Sequence, residues 1–153
     1  MLSQFDDLEY GYAREVANQP RIEKHLGVKL DKLCKYSIMD WKEIQKPDDE
    51  TPAWFVEQKA RRCSFDFLSK TYSHKGRPTA LIGKNKIDFI KLNGGCGVIY
   101  FDFTDRLMYW VYDEDEYKTF DIEKRFKRGG RTGCVDKEHE VAHIPCALLK
   151  ELW

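Results

Sequence analysis

Trp54-Phe55-Val56-Glu57-Gln58-Lys59-Ala60 is the stretch that decides how this chain folds. Side chains of a strand alternate between its two faces. Glu57 and Lys59 therefore share one face with Phe55, while Trp54, Val56, Gln58 and Ala60 point to the other. Apolar neighbours on both faces mark a central, buried strand. A carboxylate and an ammonium there carry a heavy desolvation cost unless something pairs them. Asp40, in Tyr36-Ser37-Ile38-Met39-Asp40-Trp41, comes to lie beside Glu57 if the two segments form a hairpin. The polar run Gln45-Lys46-Pro47-Asp48-Asp49-Glu50 reads as the loop between them. Two carboxylates and a lysine at one spot make a divalent-cation site with a built-in cation, which suits phosphodiester hydrolysis. A plainer reading, a solvated ion pair on an edge strand, is disfavoured by Trp54, Phe55 and Val56 together.

Asp40 followed by Glu57-x-Lys59 on the next strand resembles the PD-(D/E)XK nuclease superfamily, above all its compact phage and large-virus members. The likeness runs on through Pro78-Thr79-Ala80-Leu81-Ile82-Gly83-Lys84-Asn85-Lys86-Ile87 and the strand Gly97-Val98-Ile99-Tyr100-Phe101, and covers roughly residues 9 to 112. Family members often add a glutamate from the first helix in a Gly-x-x-x-Glu spacing, which Gly11 and Glu15 match. Met39 stands where the superfamily's motif has its proline. The resemblance implies an α/β fold, a mixed central β-sheet flanked by helices. Its core would be a restriction-endonuclease-like αβββαβ unit with a C-terminal β/α extension. It also implies catalytic roles for Asp40, Glu57, Lys59 and Glu15.

Charge indicates the chemistry. Asp40, Glu57 and the Gln58 backbone carbonyl would hold Mg²⁺ (or Mn²⁺) through oxygen, leaving several waters on the ion. Lys59 would orient the attacking water or stabilise developing negative charge, and Glu15 would serve a second metal or an outer water. The expectation is a Mg²⁺-dependent deoxyribonuclease, endonucleolytic rather than exonucleolytic. Its competitor is a catalytically inert nucleic-acid-binding or virion-structural protein on the same fold, because fold alone does not fix function.

The chain has 153 residues, enough for one domain spanning 1–153 around one sizeable core. Lys plus Arg (26) equals Asp plus Glu (26), so a surface for nucleic acid must come from local segregation of charge. No run is long enough for a transmembrane helix, and the first residues do not read as a signal peptide. Five scattered cysteines without a Cys-x-x-Cys read as reduced thiols. These features point to a soluble protein of a reducing, intracellular compartment (for a viral protein, the host cell interior or the virion), with no membrane partner. A homodimer is compatible with the reading.

Leu8, Tyr12 and Val16 recur at helical spacing and predict a first helix over about 5 to 18 with that stripe buried. Pro20 is expected to start a second helix closed by Gly27. A third short strand is expected over Ser64 to Leu68, where Phe65 and Phe67 alternate with polar residues. A helix from about Lys84 to Leu92, closed by Gly94-Gly95, then leads to strands Gly97 to Phe103 and Leu107 to Tyr112.

His139-Glu140-Val141-Ala142-His143 matches the zinc-peptidase spacing, whose chemistry requires a helix. Pro145 opposes a helix there, and the favoured expectation is a short strand before a last helix over Cys146 to Trp153. Two basic clusters are candidates for polyanion contact. One is Lys124-Arg125-Phe126-Lys127-Arg128-Gly129-Gly130-Arg131; the other comprises His74, Lys75, Arg77, Lys84 and Lys86.

Overall fold

A computed structural model describes residues 4–71, 73–127 and 137–152. The chain opens with helix α1, Gln4–Leu26, which runs straight through Pro20. The expected break is absent. An interior proline costs a helix about 3 kcal/mol, and here packing on both sides offsets that loss: Asn18 and Ile22, flanking Pro20, are both buried. The buried stripe also differs from the expected one, since Tyr12 is 62% and Val16 56% exposed. Arg14, Asn18 and Ile22, spaced by four, face the protein instead. Arg14 binds Asp102 at 2.6 Å and Asn18 donates to Gln58 at 3.1 Å.

Three antiparallel strands follow: β1 (Leu30–Lys32), β2 (Trp41–Glu43) and β3 (Phe55–Ala60). The segment expected to be the third strand is helix α2, Phe65–Thr71. Ser64 Oγ accepts the Phe67 N–H at 3.0 Å, an N-cap bond. Phe65 and Leu68, three apart, pack on the core while Phe67 stays exposed, so the period is that of a helix. Strand β4 (Thr79–Gly83) leads into α3, Lys84–Leu92, which has the expected bounds. Strands β5 (Gly97–Asp102) and β6 (Leu107–Val111) also lie where the sequence puts them. A single turn α4 (Glu114–Tyr117), strands β7 (Asp121–Lys127) and β8 (Lys137–Pro145), a 3₁₀ turn (Cys146–Leu148) and β9 (Lys150–Leu152) complete the chain.

The strands form a mixed six-stranded sheet in the order β1-β2-β3-β5-β6-β9 and a three-stranded sheet β4-β8-β7. Only the β3–β5 pair is parallel in the larger sheet; its crossover carries α2, β4 and α3. The expected last helix does not form. Those residues instead add β9 to β6, Leu107 opposite Leu152, and so satisfy the backbone of an otherwise open edge.

Alternation along β5 divides the core. Val98 and Tyr100 join Ile22, Trp41 and Val56 under α1. Ile99 and Phe101 join Ile87 and Ile90 of α3, and Ala142 and Ile144 of the second sheet. Burying each such aliphatic side chain contributes about 1.5–3 kcal/mol. Gly97 lets α3 sit this close, since a Cβ there would meet Ile90 at 2.5 Å. That contact helps hold the helix bearing Lys86 against the sheet. The four described cysteines are unpaired, and no helix among the described residues is long and apolar enough to cross a membrane.

Candidate active site where strands β2 and β3 part

Asp40 stands at the point where the β2–β3 ladder ends. Its N–H donates to Val56 O at 3.1 Å, and its carbonyl accepts the Leu33 N–H at 2.8 Å. Its Oδ2 accepts the Gln58 N–H at 2.9 Å. The carboxylate thus takes the place of the next strand residue. The strand expected through Tyr36–Trp41 begins only at Trp41, and a turn precedes it, closed by Ser37 N–H to Cys34 O at 2.9 Å. Register pairs Trp41 with Val56 and Lys42 with Phe55, which puts Asp40 across from Glu57. In a strand the N–H and C=O of one residue leave by the same edge, so the Gln58 carbonyl also faces Asp40.

Glu57 is 5% exposed. Its Oε1 lies 3.3 Å from Lys86 Nζ, while its Oε2 is buried with no hydrogen-bond partner among the described residues. Burial, with the nearby Asp40 adding to it and Lys86 opposing, pushes the Glu57 carboxyl up to about 8. Lys86 also donates to Ile38 O, which ties α3 to the turn before Asp40. Glu15 of α1 reaches the site from the other side: Lys32 Nζ lies 2.6 Å from Glu15 Oε2 and 3.3 Å from Asp40 Oδ1. Burial raises the Glu15 carboxyl against the pull of Lys32. Lys59 forms no ion pair with a described residue, and burial together with Arg61 lowers its ammonium below the usual lysine value.

These shifts have a consequence for metal-free protein. Native Glu57 keeps its proton to about pH 8, whereas its ordinary value is 4.5. Between those values the folded state binds more protons than the unfolded one, so stability is greatest below the lower value and is lost as pH rises through the upper. Glu15, also raised, acts in the same direction. Urea unfolding at pH 5, 6, 7 and 8 in the presence of a chelator is expected to show a decline on the order of 3 kcal/mol. A flat or rising profile would contradict a buried, proton-holding Glu57.

Glu15, Asp40, Glu57, Gln58 and Lys59 all line one open cleft of about 770 Å³. Its walls also carry Lys32, Lys35, Arg61 and Arg62, so five cations face three carboxylates. Arg62 stacks on Tyr10 at 4.2 Å, an aromatic and guanidinium pair at the rim. Such a cleft concentrates anions while retaining a centre able to bind a cation.

The remaining candidates scatter. Lys86 belongs to the carboxylate centre itself. Lys84 is engaged with Asp88 at 2.6 Å on its own helix. His74 and Lys75 lie against β7, with Asp121 at 3.3 and 3.6 Å respectively. Arg77 is exposed in the same turn. These five residues are divided between the His74–Arg77 turn and helix α3, and His74, Lys75, Lys84 and Lys86 face acidic side chains there rather than forming one free basic surface. Arg128 to Arg131 of the other cluster lie outside the described residues. His139 and His143 sit on strand β8, where a four-residue separation spans roughly 13 Å, so the zinc-peptidase arrangement does not arise. Sequence reasoning missed Lys32, Lys35, Arg61 and Arg62. Arg61-Arg62 directly after Glu57-x-Lys59 was the available signal; Lys32 offered none.

Compared with protein-family models, curated proteins and solved structures, the chain matches none.

Proposed function

We propose that this protein is a metal-dependent nuclease that hydrolyses phosphodiester bonds of nucleic acid, DNA ahead of RNA, with the PD-(D/E)XK constellation at its centre. The observation that carries the reading is the pairing of Asp40 with Glu57 where the β2–β3 ladder ends, with a buried Glu57 oxygen that has no hydrogen-bond partner among the described residues beside a basic cleft. Element order supports it too. With α2 and β4 set apart as an insertion between β3 and α3, helix α1, the meander β1-β2-β3, helix α3 and the parallel strand β5 are compatible with an αβββαβ core in which β1 is the first strand of the meander.

The donor set fits a hard divalent cation: two carboxylates and a carbonyl, all oxygen, on a rigid strand pair. Asp40, Glu57 and the Gln58 carbonyl would hold Mg²⁺ or Mn²⁺, which supplies Lewis-acid activation of water and phosphate when bound. Lys59, with its lowered pKa, holds a proton at Nζ beside the reacting centre and opposes charge developing on the phosphate. Arg62 and Lys35 face the cleft and bind flanking phosphates without reading bases. In the metal-free protein Lys32 pairs with Asp40 and Glu15, while Lys86, beside Glu57, opposes the rise of its pKa without abolishing it.

Those two lysines also favour a second reading, a metal-free nucleic-acid-binding protein in which Asp40 and Glu15 serve only as counter-ions to Lys32 and Glu57 stays protonated beside Lys86. Incubation with supercoiled, linear, single-stranded and branched DNA and with RNA, with and without Mg²⁺ or Mn²⁺, separates the two. Cleavage that requires the metal supports the nuclease. Binding without cleavage under every condition would replace it with the second reading.

A further inference from the structure

A second group of ligating side chains lies on the three-stranded sheet, away from the carboxylate cleft. His143 occupies the middle strand β8, opposite Leu81 of β4 and Asp121 of β7. Glu123 follows Asp121 by two residues and so shares its face. His74 comes from the turn before β4. That turn is closed by His74 N–H to Arg77 O at 2.7 Å and Arg77 N–H to His74 O at 3.1 Å. Its central residues have φ of +50° (Lys75) and +80° (Gly76), as in a type I′ turn, which fixes the position of His74. The two imidazoles stack at 3.7 Å with planes 16° apart.

From this geometry we infer that His74, Glu123 and His143 form a transition-metal site, suited to zinc, that clips the His74–Arg77 turn to the β4-β8-β7 sheet. One ligand atom from each residue already lies within 4.8 Å of the others. His143 Nε2 is 3.5 Å and His74 Nδ1 3.9 Å from Glu123 Oε2. Ligands about 2.0–2.1 Å from a tetrahedral zinc stand roughly 3.3–3.5 Å apart, so binding requires the stacked rings to swing apart and turn their nitrogens toward Glu123. His143 is 4% exposed, and its Nε2 is buried with no hydrogen-bond partner among the described residues. This buried nitrogen stands 3.5 Å from the Glu123 carboxylate without a hydrogen bond to it, and a cation held between the two would satisfy both.

The outer contacts agree. Thr79 Oγ1 lies 2.8 Å from His143 Nδ1, and Asp121 Oδ2 lies 3.3 Å from His74 Nε2. Each ring therefore has an oxygen partner on the nitrogen turned away from Glu123, the arrangement that holds metal-ligating histidines in one tautomer. Arg125 donates to the other Glu123 oxygen, Oε1, leaving Oε2 for the metal. Two imidazoles and a carboxylate select zinc over magnesium, with water completing the coordination.

The test uses the full chain, stripped with a chelator and titrated with Zn²⁺ against a chromophoric competitor, with melting temperature followed in parallel. One zinc per chain and a rise in melting temperature are expected. His74→Ala, on the half-exposed turn, should lower affinity more than 100-fold and remove the rise; His143→Ala should do the same if it folds. Thr79→Val and Asp121→Asn should weaken binding about 10–100-fold. His139→Ala should leave the zinc in place, as should Asp40→Asn with Glu57→Gln. No zinc bound at about 100-fold excess over protein, or zinc retained by His74→Ala, would overturn the site. Zinc lost with the Asp40/Glu57 pair would also overturn it, by placing the ion in the carboxylate cleft.

Discussion

Asp40→Asn and Glu57→Gln are each expected to reduce Mg²⁺-dependent cleavage by on the order of 10³-fold, about 4 kcal/mol of barrier, in protein that keeps its fold. Each substitution removes a ligand's charge while preserving its shape. Asn at position 40 can still accept the Gln58 N–H, the bond that ends the β2–β3 ladder. Gln at position 57 carries no charge that must be kept out of water, so its stability should fall much less between pH 5 and pH 8 than the parent's, the remaining fall coming from Glu15. Asp40→Asn also removes a negative neighbour that raises Glu57, so the parent's pH-dependent loss should move to lower pH. The measurements are single-turnover cleavage with saturating metal and urea unfolding across pH. Full cleavage by either variant would remove the carboxylate pair from the reaction.

Lys59→Ala should lose turnover by on the order of 10²–10³-fold, roughly 3–4 kcal/mol. Its affinity for uncleaved DNA should stay within about threefold. Lys59 shares the Glu57 face of β3 and is exposed at the cleft, where partial desolvation and Arg61 lower its pKa. A cation in that position acts where charge develops. Arg62→Ala should behave oppositely: weaker binding, nearly unchanged turnover, and a salt dependence of binding shallower by about one phosphate contact. Binding measured in the Asp40→Asn background keeps cleavage from interfering. If Lys59→Ala weakened binding and spared turnover, the lysine would be an anchor for phosphate.

How much of this could be read beforehand depended on range. Glu57 could be placed on an internal strand because period two and apolar neighbours are local properties of seven residues. The same holds for α3, β5 and β6. Short apolar runs were ambiguous: Ser64 to Leu68 reads as either period over five residues, and the Ser64 cap decided for a helix. Pro20 misled because intrinsic propensity yields to packing, here Asn18 and Ile22 on the sheet.

By itself, then, the sequence determined that a mixed α/β fold would carry Glu57 and Lys59 on an internal strand, with Asp40 able to meet them across a hairpin. Tertiary structure decided which cations accompany them. Lys32 and Lys86 reach the carboxylates from β1 and α3, and His74 meets His143 across 69 positions of chain. Spacing along the chain carries no signal for such pairs. They exist because crossovers and strand register bring distant segments together, and because a buried charge or imidazole is stable only where a partner has been brought to it.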